Sequence, residues 1–302
     1  MCDTKPKVHM SESLYNIKDL EKLAGVKAHT IRIWEKRYNL LTPKRTSNNV
    51  RLYSDADLKK ILNVSILINC GHKISKIATY DHQKISHLIT EIGGDTKTNG
   101  HEVEIDRFIE HTLSFYEPEF SEHFSHCVLK HGLEKTITKI IYPFLNKVGL
   151  LWGISEIYPA QEHFASQLIK RKLWVAIDGL EGSTTSKEAP FILFLPENEL
   201  HELALIFSNY ILRRNGHNVV YLGANVPQDN LLMMKKNRDI KGLITFFINP
   251  MTHEEIETYL QQLSEHFSDS EIYFSGAQKL VDNLNTNSNV HKLNSPKELE
   301  KL

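Results

Sequence analysis

Lys27-Ala-His-Thr-Ile-Arg-Ile-Trp-Glu-Lys-Arg-Tyr38 carries two large apolar side chains, Ile31 and Trp34, three residues apart in a run free of glycine and proline. That spacing predicts a helix with both side chains facing inward and His29, Thr30, Arg32, Lys36 and Arg37 on the outer face. Upstream, Asn16 or a neighbour caps a first helix through Ile17, Leu20 and Leu23, and Ala24-Gly25-Val26 reads as the tight turn that joins two crossed helices. Downstream, Pro43 and the pair Asn48-Asn49 suit a small β-hairpin wing between Leu40 and Ser54. Two crossed helices and a wing predict a winged helix-turn-helix, whose second helix enters the major groove of duplex DNA. Lys44, Arg45 and Arg51 on the wing are placed to meet backbone phosphates, which position a protein without reading sequence.

Charge is distributed in agreement with that reading. Residues 1–80 hold 15 Lys and Arg against 7 Asp and Glu, whereas the remainder holds 21 against 30, so the net charge of −1 conceals a basic end on an acidic body. A polyanion partner is therefore expected for the N-terminal unit alone. At 302 residues, 41% hydrophobic and 24% charged, the chain has the composition of a protein with two or three real cores, and a disordered tail is excluded. Cys2, Cys70 and Cys127 form no C-x-x-C pair and no even framework, which fits a reducing compartment. With no run of 18 apolar residues and no apolar stretch after a basic start, the expected location is cytoplasmic and no membrane partner is expected.

Four segments follow from the pattern. Residues 1–90 make the DNA-binding domain. Residues 91–104, containing Glu91-Ile-Gly-Gly-Asp-Thr-Lys-Thr-Asn-Gly100, read as a linker. Residues 105–182 show apolar residues at helical spacing, as in Ile137, Ile140, Ile141, Phe144, Leu145 and Val148, and predict a bundle of about four helices. After the break at Gly182–Pro190, residues 189–302 alternate short β-rich runs with helical ones. The expected strands are Phe191–Leu195, Asn218–Leu222, Leu243–Phe247, Glu271–Phe274 and a weaker Val290–Leu293. Runs apolar on both faces and separated by helices imply a parallel sheet covered on both sides, a flavodoxin-like doubly wound domain. The fold class is thus multidomain, α in its first two parts and α/β in its last.

Thr30-Ile-Arg-Ile-Trp-Glu-Lys-Arg-Tyr38, followed by Pro43, Arg45 and Arg51-Leu-Tyr-Ser54, resembles the MerR family of regulators. The resemblance adds Tyr38 and Tyr53 to the expected DNA-binding residues and implies a homo-oligomer, dimer or tetramer, on a near-palindromic operator. In the α/β segment, Glu199-Leu-His-Glu-Leu-Ala204 is similar to the start of the cobalamin-binding signature, in which an acidic residue, His and Gly are followed by Ser-x-Leu and Gly-Gly. Here Ala204, Thr245-Phe-Phe247 and Ser275-Gly276 stand at the later positions. The resemblance implies that His201 is the lower axial ligand of cobalt and that Glu199, Thr245, Ser275 and Gly276 line the site of the nucleotide tail. Trp152 with Glu162-His163 ten positions on resembles an element of the CarH/LitR-type photoreceptor regulators. By that resemblance Trp152 covers the upper face of adenosylcobalamin and Glu162 and His163 meet its adenosyl group or ring. Gly153 stands where the light-sensing proteins carry a second imidazole, so the implied light response lacks that ligand.

Two functions stay open at this point. One is a DNA-binding regulator, a repressor by resemblance, modulated by a corrinoid; the other is a constitutive DNA-binding regulator whose C-terminal half is a ligand-free dimerisation or protein-partner module. An enzyme is not expected, because cobalamin enzymes bring a further catalytic domain and no nucleophile triad or phosphate loop occurs. Asn225-Val-Pro227 does not read as a nucleotide motif. Sixteen histidines invite a metal-cluster reading, but His123, His126 and His131 share one amphipathic helix without matching Cys or carboxylate partners, and no site is expected there.

Overall fold

Asn16 starts the first helix by a reciprocal cap: its Oδ1 accepts the Lys18 and Asp19 amides at 2.8 and 3.2 Å, while the Asp19 carboxylate accepts the Asn16 amide at 2.7 Å. From here the computed structural model describes residues 14–24, 26–46, 49–94, 101–153, 157–180, 188–236 and 239–302. Gly25, Asn48, residues 95–100 of the expected linker and residues 182–187 of the expected break lie outside the described residues. The chain divides into two units, Met1–Phe164 and Ala165–Leu302.

The first unit opens with β1 (Leu14–Tyr15), α1 (Ile17–Ala24), α2 (Ala28–Tyr38), β2 (Lys44–Arg45) and β3 (Arg51–Ser54). β3 pairs antiparallel with both β1 and β2, so the wing is a three-stranded sheet in the order β1-β3-β2. Ser54 and Asp57 form a capping box that fixes the start of α3 (Asp55–Asn69), which is followed by α4 (Ile74–Ile77) and α5 (His82–Gly94). Four more segments continue the unit: α6 (Glu102–Leu113), α7 (Glu117–His131), α8 (Leu133–Thr136) and α9 (Tyr142–Gly153). A π-helical turn, Ile137–Ile141, joins α8 to α9. Pro143, with no N–H and with a ring that clashes with the carbonyl four residues back, accounts for the widened turn just before it. α10 (Pro159–Asp178) begins on Pro159, a residue suited to a first turn, and the division between the two units falls within it.

Leu20, Ile31, Tyr53, Ile61, Val64, Leu67 and Ile89 are wholly buried in one core, against which Leu150, Leu151 and Trp152 of α9 also pack. A second set of aromatic side chains, Phe108, Phe120 and Phe144, meets edge to face or tilted at 4.8 to 6.1 Å between ring centres and holds α6, α7 and α9 together.

In the second unit, β4 (Phe191–Phe194), α11 (Leu203–Arg214), β5 (Val219–Gly223), α12 (Gln228–Lys235), β6 (Gly242–Phe247), α13 (His253–His266), β7 (Glu271–Gly276), α14 (Gln278–Val281) and β8 (Val290–Lys292) follow the second part of α10. The sheet is parallel throughout in the order β5-β4-β6-β7-β8. All five expected strands are present in a doubly wound sheet. β4 and β6 are buried along their whole length because helices cover both faces. Chain order reverses between these two strands, which makes their carboxyl ends the ligand-binding position of such sheets.

The expected linker is corrected at both ends. Glu91–Gly94 continue α5, and Glu102 already opens α6. Ile85 and Ile89 anchor α5 in the core, and two terminal glycines cost a helix too little, about 1 kcal/mol each, to stop it.

Candidate functional site

Ile31 and Trp34 face the core as their spacing predicts, at 0% and 9% exposure. His29, Arg32, Lys36 and Arg37 are exposed on α2, whereas Thr30 and Tyr38 are half-buried. The Arg37 guanidinium lies 5.5 Å from the Tyr38 ring centre, so the two form a cation–π pair at the end of the helix. Lys44 and Arg45 are exposed on the wing, and Arg45 donates to Asn49 Oδ1 at 2.6 Å. Asn49, at φ +62°, takes the left-handed position of the wing turn that asparagine tolerates.

One expected DNA contact is corrected, and a second is found to have a partner inside the domain. Tyr53 is wholly buried, and its hydroxyl donates to Glu35 at 3.2 Å. Burial first, then the charge and hydrogen bond of Glu35, push its phenol up to about 12, so it is a neutral donor inside the domain. Arg51, two residues earlier on the same strand face, directs its Nε to both oxygens of Glu35 at 3.1 and 3.2 Å. Its Nε therefore holds the wing against the recognition helix. The sequence reading missed Glu35 in this role, and it missed Ile33, which is 52% exposed among the cations of α2. Positions 29, 33 and 36 share a helix face, so the spacing contained the signal. An exposed apolar side chain there suits contact with a thymine methyl group.

In the second unit the loop after β4 carries Glu199 and His201. Glu199 is 4% exposed, and all its acceptor capacity is used. One oxygen accepts the amides of Leu200 and His201 at 2.9 and 3.0 Å and meets His201 Nδ1 at 2.6 Å. The other accepts the amides of Ile248 and Asn249, just past β6, at 2.8 and 2.6 Å. One carboxylate thus bridges the carboxyl ends of the two strands that flank the switch point. Burial alone would raise its carboxyl, but the His201 hydrogen bond and the three amides of Asn249, His201 and Ile248 outweigh it and hold the group at about 2. With Nδ1 fixed on a carboxylate, metal ligation by His201 would run through Nε2, the usual arrangement for an imidazole ligand with an outer carboxylate.

Three asparagines that the sequence reading did not single out, or read only as a turn, shape this loop. Asn198 and Asn225 sit at φ +66° and +57°. Asn225 Oδ1 accepts the Asn198 amide at 2.8 Å, and Asn249 Nδ2 donates to the Asn198 carbonyl at 2.6 Å. Asparagine after a strand end was their only signal in the sequence.

Thr245 is wholly buried in β6, and its Oγ1 has no hydrogen-bond partner among the described residues. A buried orphan hydroxyl is uncommon and fits a site where a ligand supplies the partner. Ser275 Oγ donates to the Leu293 carbonyl at 2.8 Å, so that hydroxyl is engaged with the segment after β8. A Cβ on Gly276 would lie 2.0 Å from the Phe247 carbonyl oxygen, so no other residue fits. Ala204 lies half-buried in the first turn of α11.

Glu162 and His163 lie together in the first turns of α10, Oε2 to Nδ1 at 3.0 Å. Trp152 is placed differently. It packs half-buried against the helix-turn-helix core, and the Lys59 ammonium of α3 stands 5.6 Å from its ring centre. Among the described residues no helix is long and apolar enough to cross a membrane.

Comparison with known proteins gives two family matches, both upstream of β4. Residues 15–84 match the family described as MerR HTH family regulatory protein, and residues 104–176 match the B12 binding domain. The chain is 28% identical over 263 residues to the HTH-type transcriptional repressor CarH of Myxococcus xanthus, covering 85% of this chain and 86% of the relative. It is 25% identical over 214 residues to the repressor CarA of the same organism, covering 70% and 68%. Among solved structures, the monomethylamine corrinoid protein of Methanosarcina barkeri superposes with a TM-score of 0.52 at 18% identity, over 67% of this chain and 97% of that one, a likeness of fold.

Proposed function

We propose that this chain, which joins a MerR-type helix-turn-helix to a B12-binding domain and belongs with transcription regulators of the CarH/LitR type, is a repressor whose hold on DNA is set by a corrinoid bound at His201. The observation that carries the proposal is the Glu199–His201 pair at 2.6 Å, on the loop where a doubly wound sheet binds its ligands. Glu199 fixes the orientation of the imidazole. Thr245 offers a buried hydroxyl that lacks a partner among the described residues, and Gly276 leaves its strand end clear of a side chain. Adenosylcobalamin bound there would be held by His201 and would supply a cobalt centre. By the same resemblance Glu162 and His163, paired on α10, are further candidates to contact it.

On DNA, Arg32, Lys36 and Arg37 of α2 approach base edges and phosphates of the major groove, with His29 and Thr30 at the start of the helix. Lys44 and Arg45 meet the backbone from the wing. A dimer or higher oligomer doubles these contacts and reads a two-fold operator. Gly153 supplies no second imidazole, so occupancy by the corrinoid, in place of illumination, is the signal we assign.

Trp152 gives a route for coupling. Its ring rests on the DNA-binding core beside Lys59, and any ligand that recruits this side chain draws it from that core. The test is direct. Purified protein is incubated in the dark with adenosylcobalamin, desalted and examined by visible spectroscopy, with His201→Ala alongside. Retained corrinoid colour that the variant loses supports the reading. A colourless wild-type protein overturns it in favour of a partner-binding module.

A further inference from the structure

The first unit holds a second cluster of ligating groups, away from every residue assigned above. His101 precedes α6, Glu104 lies in the first turn of α6, and His131 is the last residue of α7. Each offers one ligand atom within 4.8 Å of the others. Two ring nitrogens of this cluster, His101 Nδ1 and His131 Nε2, are buried without a hydrogen-bond partner among the described residues. The two imidazoles meet edge to face at 4.7 Å. His131 Nε2 stands 3.6 Å from Glu104 Oε1, beyond hydrogen-bond reach but close to the spacing of neighbouring ligands on one small cation.

We infer that His101, Glu104 and His131 form a site for a borderline divalent cation of the Zn2+ type, with its remaining position open to water. Two imidazoles and one carboxylate suit such an ion, whereas Mg2+ and Ca2+ demand oxygen ligands. A cation bound there would give the orphan His131 Nε2, 3.6 Å from Glu104 Oε1, the partner it lacks. The surroundings already hold Glu104 in place: its backbone carbonyl lies 2.9 Å from His123 Nε2, and its Oε1 accepts Lys130 Nζ at 2.9 Å. Lys130 is half exposed and can release the carboxylate to the cation. The expectation that the histidines of α7 lack a matching carboxylate fails because Glu104 comes from the neighbouring helix, which the spacing within α7 could not disclose. The ion would clasp the start of α6 to the end of α7.

The experiment uses full-length, corrinoid-free protein stripped with a chelator and dialysed. Zn2+ is titrated in competition with a chromophoric chelator, and Co2+ is used as a spectroscopic probe. His101→Gln, Glu104→Gln and His131→Gln are measured beside His266→Gln, an exposed control on α13. The expected result is one ion per chain with tetrahedral Co2+ absorption, and a loss of affinity in each ligand variant above the roughly 10- to 100-fold that loss of an outer-sphere partner causes. His266→Gln should bind like the wild type. Far-ultraviolet circular dichroism confirms that the variants fold, and an unfolded ligand variant is replaced by the corresponding Asn substitution. Binding that all three ligand variants retain, or no Co2+ spectrum in the wild type, overturns the site.

Discussion

Glu199→Gln removes one negative charge from a position where five donors converge. A glutamine presents a single acceptor oxygen, so its NH2 would face at least two of the amides now bound to the carboxylate, those of Ile248 and Asn249 or those of Leu200 and His201. The carboxyl is held at about 2 against an ordinary value of 4.5, and at about 1.4 kcal/mol per unit this drop corresponds to about 3 kcal/mol of folded-state stability. Because the folded value is the lower one, that stability is fully present above about pH 4.5 and is lost as pH falls towards about 2. The variant should therefore lose about 3 kcal/mol at neutral pH and lack the corresponding acid-dependent loss. Hydrogen exchange of the Ile248 and Asn249 amides in increasing urea, at pH 7 and at about pH 3, reads both effects at the site. A variant within about 0.5 kcal/mol of the parent at pH 7 would refute the reasoning, because ordinary surface changes reach that size.

Thr245→Val exchanges an orphan hydroxyl for a methyl group of similar shape, so urea unfolding should show the ligand-free protein more stable by about 1 kcal/mol. Corrinoid retention after desalting should fall in the same variant, and a destabilised ligand-free variant would contradict the account. Arg51→Ala leaves the Glu35 carboxylate without its cationic partner and should destabilise the first unit by about 1–3 kcal/mol, read as a lower thermal midpoint. Arg32→Ala should leave that midpoint in place while weakening DNA binding, with a shallower salt dependence where a phosphate contact is lost. Equal midpoints for Arg51→Ala and the parent would mean that the Glu35 pairing does no structural work.

Local features of the sequence disclosed most of the fold. The i, i+3 pair Ile31 and Trp34 gave the inward face of α2, and five apolar runs gave the five parallel strands. Features that depend on distant partners were not legible. Arg51 reads as a phosphate-binding cation, and nothing local shows that Glu35, sixteen residues earlier, accepts its Nε. Tyr53 looks like a wing residue until the alternation along β3 turns it into the core. Glycines at the end of α5 suggested a linker because composition does not report the packing of Ile85 and Ile89. At the switch point Glu199 and His201 were readable from their spacing, but the amides of Ile248 and Asn249 come from another strand and carry no side-chain signature.

Fluorescence anisotropy with a duplex selected from a random library by the wild-type protein tests the coupling of the two domains most directly. Titrations in the dark, with and without adenosylcobalamin, compare the wild type with His201→Ala. The account predicts that the corrinoid changes the DNA affinity of the wild type and leaves that of the variant unmoved. Equal affinity of the wild type in both conditions, in a protein shown to hold the corrinoid, would contradict it.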